Sequence, residues 1–285
     1  MPTAVVTGSN TGLGLATATG LARAGFEVVI AVRSEAKGQQ AAKQIRNEVS
    51  GANVDVMSLD LASLASVRAF AAEIATKHPV IELLVNNAGV TMKDRSVTSD
   101  GFEMTFGVNH LGHFLLTNLL KPQLAAAGGA ARVVVVGSDA HKFARGGLDF
   151  TDLMFDKRKY GAMRVYGASK LANMLFSRDL ARRWANDGIT VNSVHPGFVA
   201  TRLGRDGDGG RLGDVVAQIG KPFARTPEKG ALTSLHAALA PELASVTGEY
   251  FANSAIKKPA ATALDDAAAA KLWEISTTLV GAPPE

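Results

Sequence analysis

Tyr166 and Lys170 stand four residues apart in the stretch 165–176, VYGASKLANMLF. On a helix that spacing stacks the two side chains on one face. A phenol beside an ammonium has a chemical use. The positive charge favours the phenolate and lowers the tyrosine pKa from its usual value of about 10 toward one at which it can pass a proton. Surface helices also make such pairs by chance, so the pair needs companions, and the chain offers two. Ser138 follows Arg132–Val136 (RVVVV), a run suited to a strand buried on both faces. A hydroxyl there lies in the crevice where open sheets bind ligands and can hold a carbonyl oxygen. Asn109 sits inside an otherwise apolar helical stretch, 101–124, where a buried amide costs stability unless its hydrogen bonds are used. Asn109, Ser138, Tyr166 and Lys170 form the candidate catalytic set.

The elements that must position these residues begin at the first strand. Thr3–Thr7 (TAVVT) stops at Gly8, and Gly8-Ser9-Asn10-Thr11-Gly12-Leu13-Gly14 leads into a helix over 15–24. Gly8 permits the turn, Gly12 lets backbone approach a pyrophosphate, and Gly14 lets helix and strand pack closely. The helix start supplies free N–H groups for phosphate oxygens, with Asn10 able to flank them. Glu27–Val32 is the second strand, and Arg33 follows it with no acid in the position that binds a ribose 2′-hydroxyl. A guanidinium fork pairs with a 2′-phosphate instead, which favours NADP(H), with NAD(H) the second choice. The pattern continues with helix 36–49, strand 54–59, helix 63–77 capped by Ser63, strand 81–85 and strand Arg132–Val136. Strand 189–195, helix 227–240 capped by Thr226, strand 249–251 and helix 263–279 complete it. Strands alternating with helices, joined by right-handed crossovers, predict an α/β fold, a Rossmann-type doubly wound parallel sheet.

Tyr-x-x-x-Lys with a T-G-x-x-x-G-x-G loop, Asn86-Asn87-Ala88-Gly89 and a P-G-x-V-x-T segment resembles the short-chain dehydrogenase/reductase family over nearly the whole chain. Ser138-Asp139-Ala140-His141 looks most like retinol-dehydrogenase-type and protochlorophyllide-reductase-like members. The resemblance implies a single domain over 1–285. It implies Asp60, followed by Leu61, against the adenine, and a cofactor wall of Asn87, Ala88 and Gly89, in which Ala88 and Gly89 let the chain pass against adenine and ribose while the Asn87 amide bonds across strands. It places Pro196, Gly197, Val199 and Thr201 at the nicotinamide amide and pyrophosphate, and Lys170 on the nicotinamide ribose. Asn109 is implied to hold a water that relays protons from the lysine. It also implies a homodimer or homotetramer. Twenty-seven residues separate Ser138 from Tyr166, more than in classical members. The excess carries Phe143, Leu148, Phe150, Leu153, Met154, Phe155 and Tyr160. Substrate-loop insertions are therefore expected at about 142–163 and 200–224. The first reads as a substrate lid or a subunit contact, the second as a lid whose amphipathic part, 214–223, closes over substrate. Tyr160 is a decoy, since no lysine follows it four residues later.

Composition narrows the rest. The 285 residues contain no cysteine, which excludes disulfides, thiol catalysis and Cys-ligated metal. His110 and His113 are three apart, but nothing acidic completes a metal set, so no metal is expected. Thirty basic and 26 acidic residues, with no basic stripe, give no footprint for nucleic acid. No run of eighteen apolar residues and no leader pattern is present, so no membrane span and a cytoplasmic location are expected. The expected activity is NADPH-dependent interconversion of a carbonyl and an alcohol on a lipophilic small molecule, with Tyr166 as general acid/base. Two alternatives stand beside it, a carbon–carbon double-bond reductase and a catalytically idle nucleotide-binding regulatory protein.

Overall fold

Valine runs with side chains pointing alternately up and down give the sheet two apolar faces, and the helices divide between them. In the computed structural model, which describes residues 1–199 and 225–282, eight strands lie in the order β3-β2-β1-β4-β5-β6-β7-β8. They are β1 (Thr3–Thr7), β2 (Glu27–Val32), β3 (Val54–Ser58), β4 (Leu83–Asn86), β5 (Arg132–Val136), β6 (Thr190–His195), β7 (Tyr250–Ala252) and β8 (Ala255–Ile256). All neighbours pair in parallel except β7 and β8, a short antiparallel hairpin that the sequence pattern did not suggest. The strand order reverses between β1 and β4, and the C-terminal strand ends open a crevice there.

Val133 and Val135 of β5 point to one core, shared with α3 (Leu64–Lys77), α7 (Ala162–Arg183) and α9 (Asp266–Val280). Val134 and Val136 point to the other, shared with α1 (Gly12–Arg23), α2 (Glu35–Glu48) and α8 (Pro227–Leu239). The two predicted caps are in place: Ser63 accepts from Ser66 N and Thr226 from Lys229 N.

The helix expected over 101–124 is not continuous. It comprises α4 (Met104–Phe106), a π-type segment Gly107–Gly112, α5 (His113–Leu119) and α6 (Lys121–Ala125), the last with Pro122 in its first turn. Glycines bound the π segment because neighbours press on it. A Cβ on Gly112 would come within 2.5 Å of the Leu61 carbonyl oxygen, and one on Gly107 within 2.6 Å of Thr98 Cγ2. Asn109 is carried on this widened turn, a feature frequent at functional sites.

The 142–163 insertion is folded onto its own chain. Leu148, Leu153 and Phe155 are buried, and Phe150 and Met154 pack against the same core. The Asp152 carboxylate accepts from Asp156 N (2.7 Å), Lys157 N (3.1 Å) and Arg158 Nε (2.9 Å). Arg158 returns a bond to the Asp152 carbonyl and lies 4.5 Å over the Phe155 ring. Phe155 itself has φ +53°, a left-handed conformation tolerated because its surroundings fix it. The apolar residues that suggested a lid or a subunit contact therefore go mostly into the chain's own core, leaving Phe143 and Met163 exposed beside the start of α7.

Candidate active site

Four strand ends supply the site. β1 ends at Thr7, β4 runs into Asn86-Asn87-Ala88-Gly89, β5 into Gly137-Ser138, and β6 into Pro196-Gly197. Gly8 and Gly12 have φ +65° and +55°, so the turn between β1 and α1 needs the freedom only glycine has. Gly14 is needed for a different reason. A Cβ there would lie 2.4 Å from Gly8 O and 2.5 Å from Asn87 Nδ2. Thr11 caps α1 without a side-chain hydrogen bond, and no acid occupies the first turn. The helix start thus presents backbone N–H groups to the loop, the donor set that suits a pyrophosphate. Leu13 and Val199 both approach Gly230 of α8, at 3.2 and 2.5 Å from where its Cβ would be, which brings the Pro196–Gly197 segment over the nucleotide loop.

Arg33 is exposed at the end of β2. Asp60 accepts from Ala62 N with one carboxylate oxygen, in the turn that leads into α3. The Leu61 side chain is buried and packs in the core on that side of the sheet. Asn87 Nδ2 donates to Thr7 O (2.7 Å), tying β4 to β1 as its sequence context suggested. Thr201 and the expected 200–224 insertion lie outside the described residues.

Ser138, Tyr166 and Lys170 converge at the end of β5. Ser138 caps a short 3-10 turn, Asp139–Phe143, by accepting from Ala140 N. Lys170 is buried on α7, and its ammonium donates to Val136 O (2.9 Å) while lying 5.7 Å from the Tyr166 ring centroid. Removal from water lowers the Lys170 pKa to about 8. The same effect pushes Tyr166 up to about 12, with a hydrogen bond to Ser138 pulling the other way. Here the sequence argument needs correcting. Lys170 was expected to bring the phenol down, but its ammonium is turned to a backbone carbonyl and burial dominates.

Asn109 has its amide hydrogen bonds used, as a buried amide in an apolar stretch requires. Its Oδ1 accepts from Val90 N (2.7 Å), and its Nδ2 donates to Val90 O (3.0 Å) and to Ser169 Oγ (3.0 Å). Both amide hydrogens are used by protein, so the side chain clamps the chain after Gly89 to α7 between Tyr166 and Lys170. Tyr160, set aside as a decoy, donates to the buried Glu103 (2.9 Å), which itself caps α4 through Thr105 N and Phe106 N.

A protein-family model described as Enoyl-(Acyl carrier protein) reductase matches residues 8–255. Human Retinol dehydrogenase 13 is 45% identical over 284 residues, covering 98% of this chain and 84% of that protein. The chain belongs to the short-chain dehydrogenase/reductase family. Among solved structures, an uncharacterized protein from Mycobacterium Paratuberculosis is 35% identical with a TM-score of 0.78, covering all of this chain and 96% of the other. The Pseudomonas aeruginosa RhlG/NADP active-site complex is 27% identical with a TM-score of 0.68, over 88% and 93% of the two chains. Membership carries the chemistry of an NAD(P)-dependent oxidoreductase.

Sequence reading missed two residues at this short-chain dehydrogenase/reductase site. His113 entered only with His110, as a pair lacking the acid of a metal set, and His141 only as part of a subgroup pattern. Both are buried with both ring nitrogens hydrogen-bonded. Their positions four and three residues after Asn109 and Ser138 were the available signal. Among the described residues no group of acids and histidines could hold a metal ion, and no helix is long and apolar enough to cross a membrane.

Proposed function

We propose that this enzyme interconverts a carbonyl and an alcohol on a lipophilic small molecule, using NADP(H). The observation that carries the reading is the convergence of Ser138, Tyr166 and Lys170 beside a glycine cradle shaped for a pyrophosphate. When bound, the nicotinamide supplies or accepts the hydride. The chain supplies the rest. Ser138 Oγ and Tyr166 Oη hold the carbonyl oxygen, and Tyr166 gives it a proton during reduction. A phenol held near 12 is a proton donor at neutral pH, suited to that direction. Lys170, charged below about pH 8, holds the ribose hydroxyls, and the Ser138 hydrogen bond is what favours the phenolate left behind. Asn109 fixes Val90 and Ser169, keeping the cofactor wall and α7 in register.

Gly8, Asn10, Thr11, Gly12, Leu13 and Gly14 would cradle the pyrophosphate. Arg33 would pair with the 2′-phosphate, and Asp60, Asn87, Ala88 and Gly89 would line the adenosine. Pro196, Gly197, Val199 and Thr201 would face the nicotinamide amide. Similarity to a retinol dehydrogenase and the exposed Phe143 and Met163 beside Tyr166 support a lipophilic substrate. The description of the matched family model favours a second reading, reduction of a carbon–carbon double bond.

The test is a set of initial rates with NADPH and NADH against aldehydes, ketones and enones of rising lipophilicity, with product analysis. Carbonyl turnover that grows with lipophilicity supports the first reading. Saturated carbonyl products from enones establish the second, and tight NADPH binding without turnover points to an idle nucleotide-binding protein. Tyr166→Phe should keep NADPH affinity and remove nearly all turnover; unchanged turnover removes Tyr166 from the mechanism. Arg33→Ala should weaken NADPH far more than NADH, and equal weakening would make Arg33 structural.

A further inference from the structure

His113 and His141 make the same pair of bonds at different strand ends. His113 Nδ1 lies 3.1 Å from Asn109 O, and its Nε2 lies 2.8 Å from Thr7 Oγ1. His141 Nδ1 lies 2.6 Å from Ser138 O, and Ala260 N donates to its Nε2 at 3.1 Å. Hydrogen counting fixes both tautomers. A carbonyl only accepts, so each Nδ1 carries a hydrogen. Ala260 N only donates, so Nε2 of His141 is bare. Thr7 Oγ1 already accepts from Asn87 N and Ala88 N, both at 2.9 Å. Its single hydrogen goes to His113 Nε2, since the other acceptor, Val85 O, is 3.4 Å away. Each ring therefore joins the main chain of a candidate site residue to a segment more than a hundred residues distant in sequence. His113 couples the β1 end and the Asn87–Ala88 wall to the π segment. His141 couples Ser138 to the chain after β8.

We propose that His113 and His141 are positioning residues, neutral and protonated at Nδ1, that set the main chain of Asn109 and Ser138 against the cofactor wall and the C-terminal segment. Protonating either ring would set a donor against a donor at Nε2. The surroundings oppose that charge at His113, where burial and the Lys170 ammonium hold the pKa to about 4, with His110 the other titratable neighbour. At His141 burial lowers the pKa against the Ser138 carbonyl and Asp139; Lys142 and the His195 ring also face it, and the Tyr250 ring lies 5.7 Å away. His110 is a useful contrast. It sits among Phe106, Phe114 and Phe176, bonds Ser276 with Nε2, and leaves Nδ1 without a partner. That ring packs, whereas the other two connect.

The catalytic half of this inference rests on Ser138 and Tyr166 being the reacting groups, so the test separates the two. Ring 15N NMR of the wild-type protein should show His113 and His141 as the Nδ1–H tautomer at pH 6, the less common form for a free imidazole. An Nε2–H tautomer at either ring overturns the proposal for that ring without reference to activity. His113→Phe keeps ring volume and removes both bonds; it should weaken NADPH and lower kcat by roughly tenfold or more, since misplacing reacting groups by about an ångström costs rate on that scale. His141→Phe should lower kcat by a similar factor and leave NADPH affinity unchanged. Gln at either position keeps a donor and an acceptor and should restore part of the loss. If the Phe variants lose thermal stability while their folded fraction keeps wild-type kcat and NADPH affinity, the rings are structural only. If the Phe variants do not fold, the Gln variants and the tautomers decide. A wild-type protein that turns over no carbonyl would sink the reading of function, while NADPH affinity and the tautomers would still report on the clamps.

Discussion

The nucleotide loop and the 142–163 insertion are shaped by opposite means. The loop is set by what is missing: Gly8 and Gly12 take left-handed backbone, and Gly14 leaves room that a methyl group would fill. The insertion is set by what is present: one buried carboxylate, Asp152, gathers two backbone amides and a guanidinium. A backbone-defined cradle tolerates almost no added atom but few side chains matter to it. A side-chain-defined loop tolerates change at many positions and depends on one. Under the proposed function the first would suit a cofactor whose shape does not vary, and the second the flank of a cleft where substrates do.

The largest effect expected from this contrast is at Gly14. Gly14→Ala places a Cβ against Gly8 O and Asn87 Nδ2, both backbone or tightly held groups, so the loop must move. NADPH binding measured by titration should be lost, with a lower Tm; a variant with wild-type affinity would show that the loop does not contact the pyrophosphate. Acid should next separate the insertion from the helical stretch whose His113 is bonded to Thr7 at the end of β1. His110 and His113, held by burial to about 3 and about 4, are neutral in the folded chain but take up protons near pH 6.5 when unfolded. The unfolded state then binds more protons, so stability falls as pH drops from about 6.5 toward 4. Asp152 behaves later. Burial raises its pKa but is outweighed by the Lys157 and Asp156 amides and Arg158, so its contribution is lost only below the usual carboxylate range. Thermal melts should therefore fall first through the histidine window, and proteolysis within 142–163 should increase only at lower pH. Equal onset would show the two regions to be one cooperative unit.

Asp152→Asn gives the third, smaller effect. The amide keeps an acceptor for one backbone N–H but loses the charge facing Arg158. It should speed proteolytic cutting near 152–158, lower Tm by a few degrees on the scale of roughly 2–4 °C per kcal/mol for a chain near this size, and leave NADPH affinity unchanged. A loss of NADPH affinity would mean the insertion and the cradle are coupled.

Those two regions also differ in how far their sequences can be read. The glycine spacing, the Thr3–Thr7 and Arg132–Val136 runs and the Ser63 and Thr226 caps are local signals, and the structure follows them within a residue or two. Alternating strands and helices with handed crossovers were enough for the doubly wound class, while the order of the strands came from the structure. What escaped was set by contacts distant in sequence. The π segment within 101–124 is bounded by Gly107 and Gly112, where Thr98 and Leu61 leave no room for a Cβ, and no local period reports those neighbours. Asp152 looks like any loop acid until Arg158 and the amides fold back on it. His113 and His141 find their second partners at Thr7 and Ala260, over a hundred residues away, and only the fold brings them together. The direction of Lys170 escaped for the same reason, since Val136 O competes for its ammonium.

The small hairpin that closes the sheet also bears on how copies of the protein meet. An open sheet invites another molecule to add a strand and continue it, and long flat edges are where aggregates nucleate. β8 is two residues long, and Lys257, Lys258 and Pro259 follow it directly. An approaching strand meets a short template, two positive charges and a residue with no N–H to offer. Lys257 N is already turned inward to Tyr250 O. This margin of the sheet thus ends as a blunt seam, and self-association of the folded protein through β8 would have to find some surface other than its backbone.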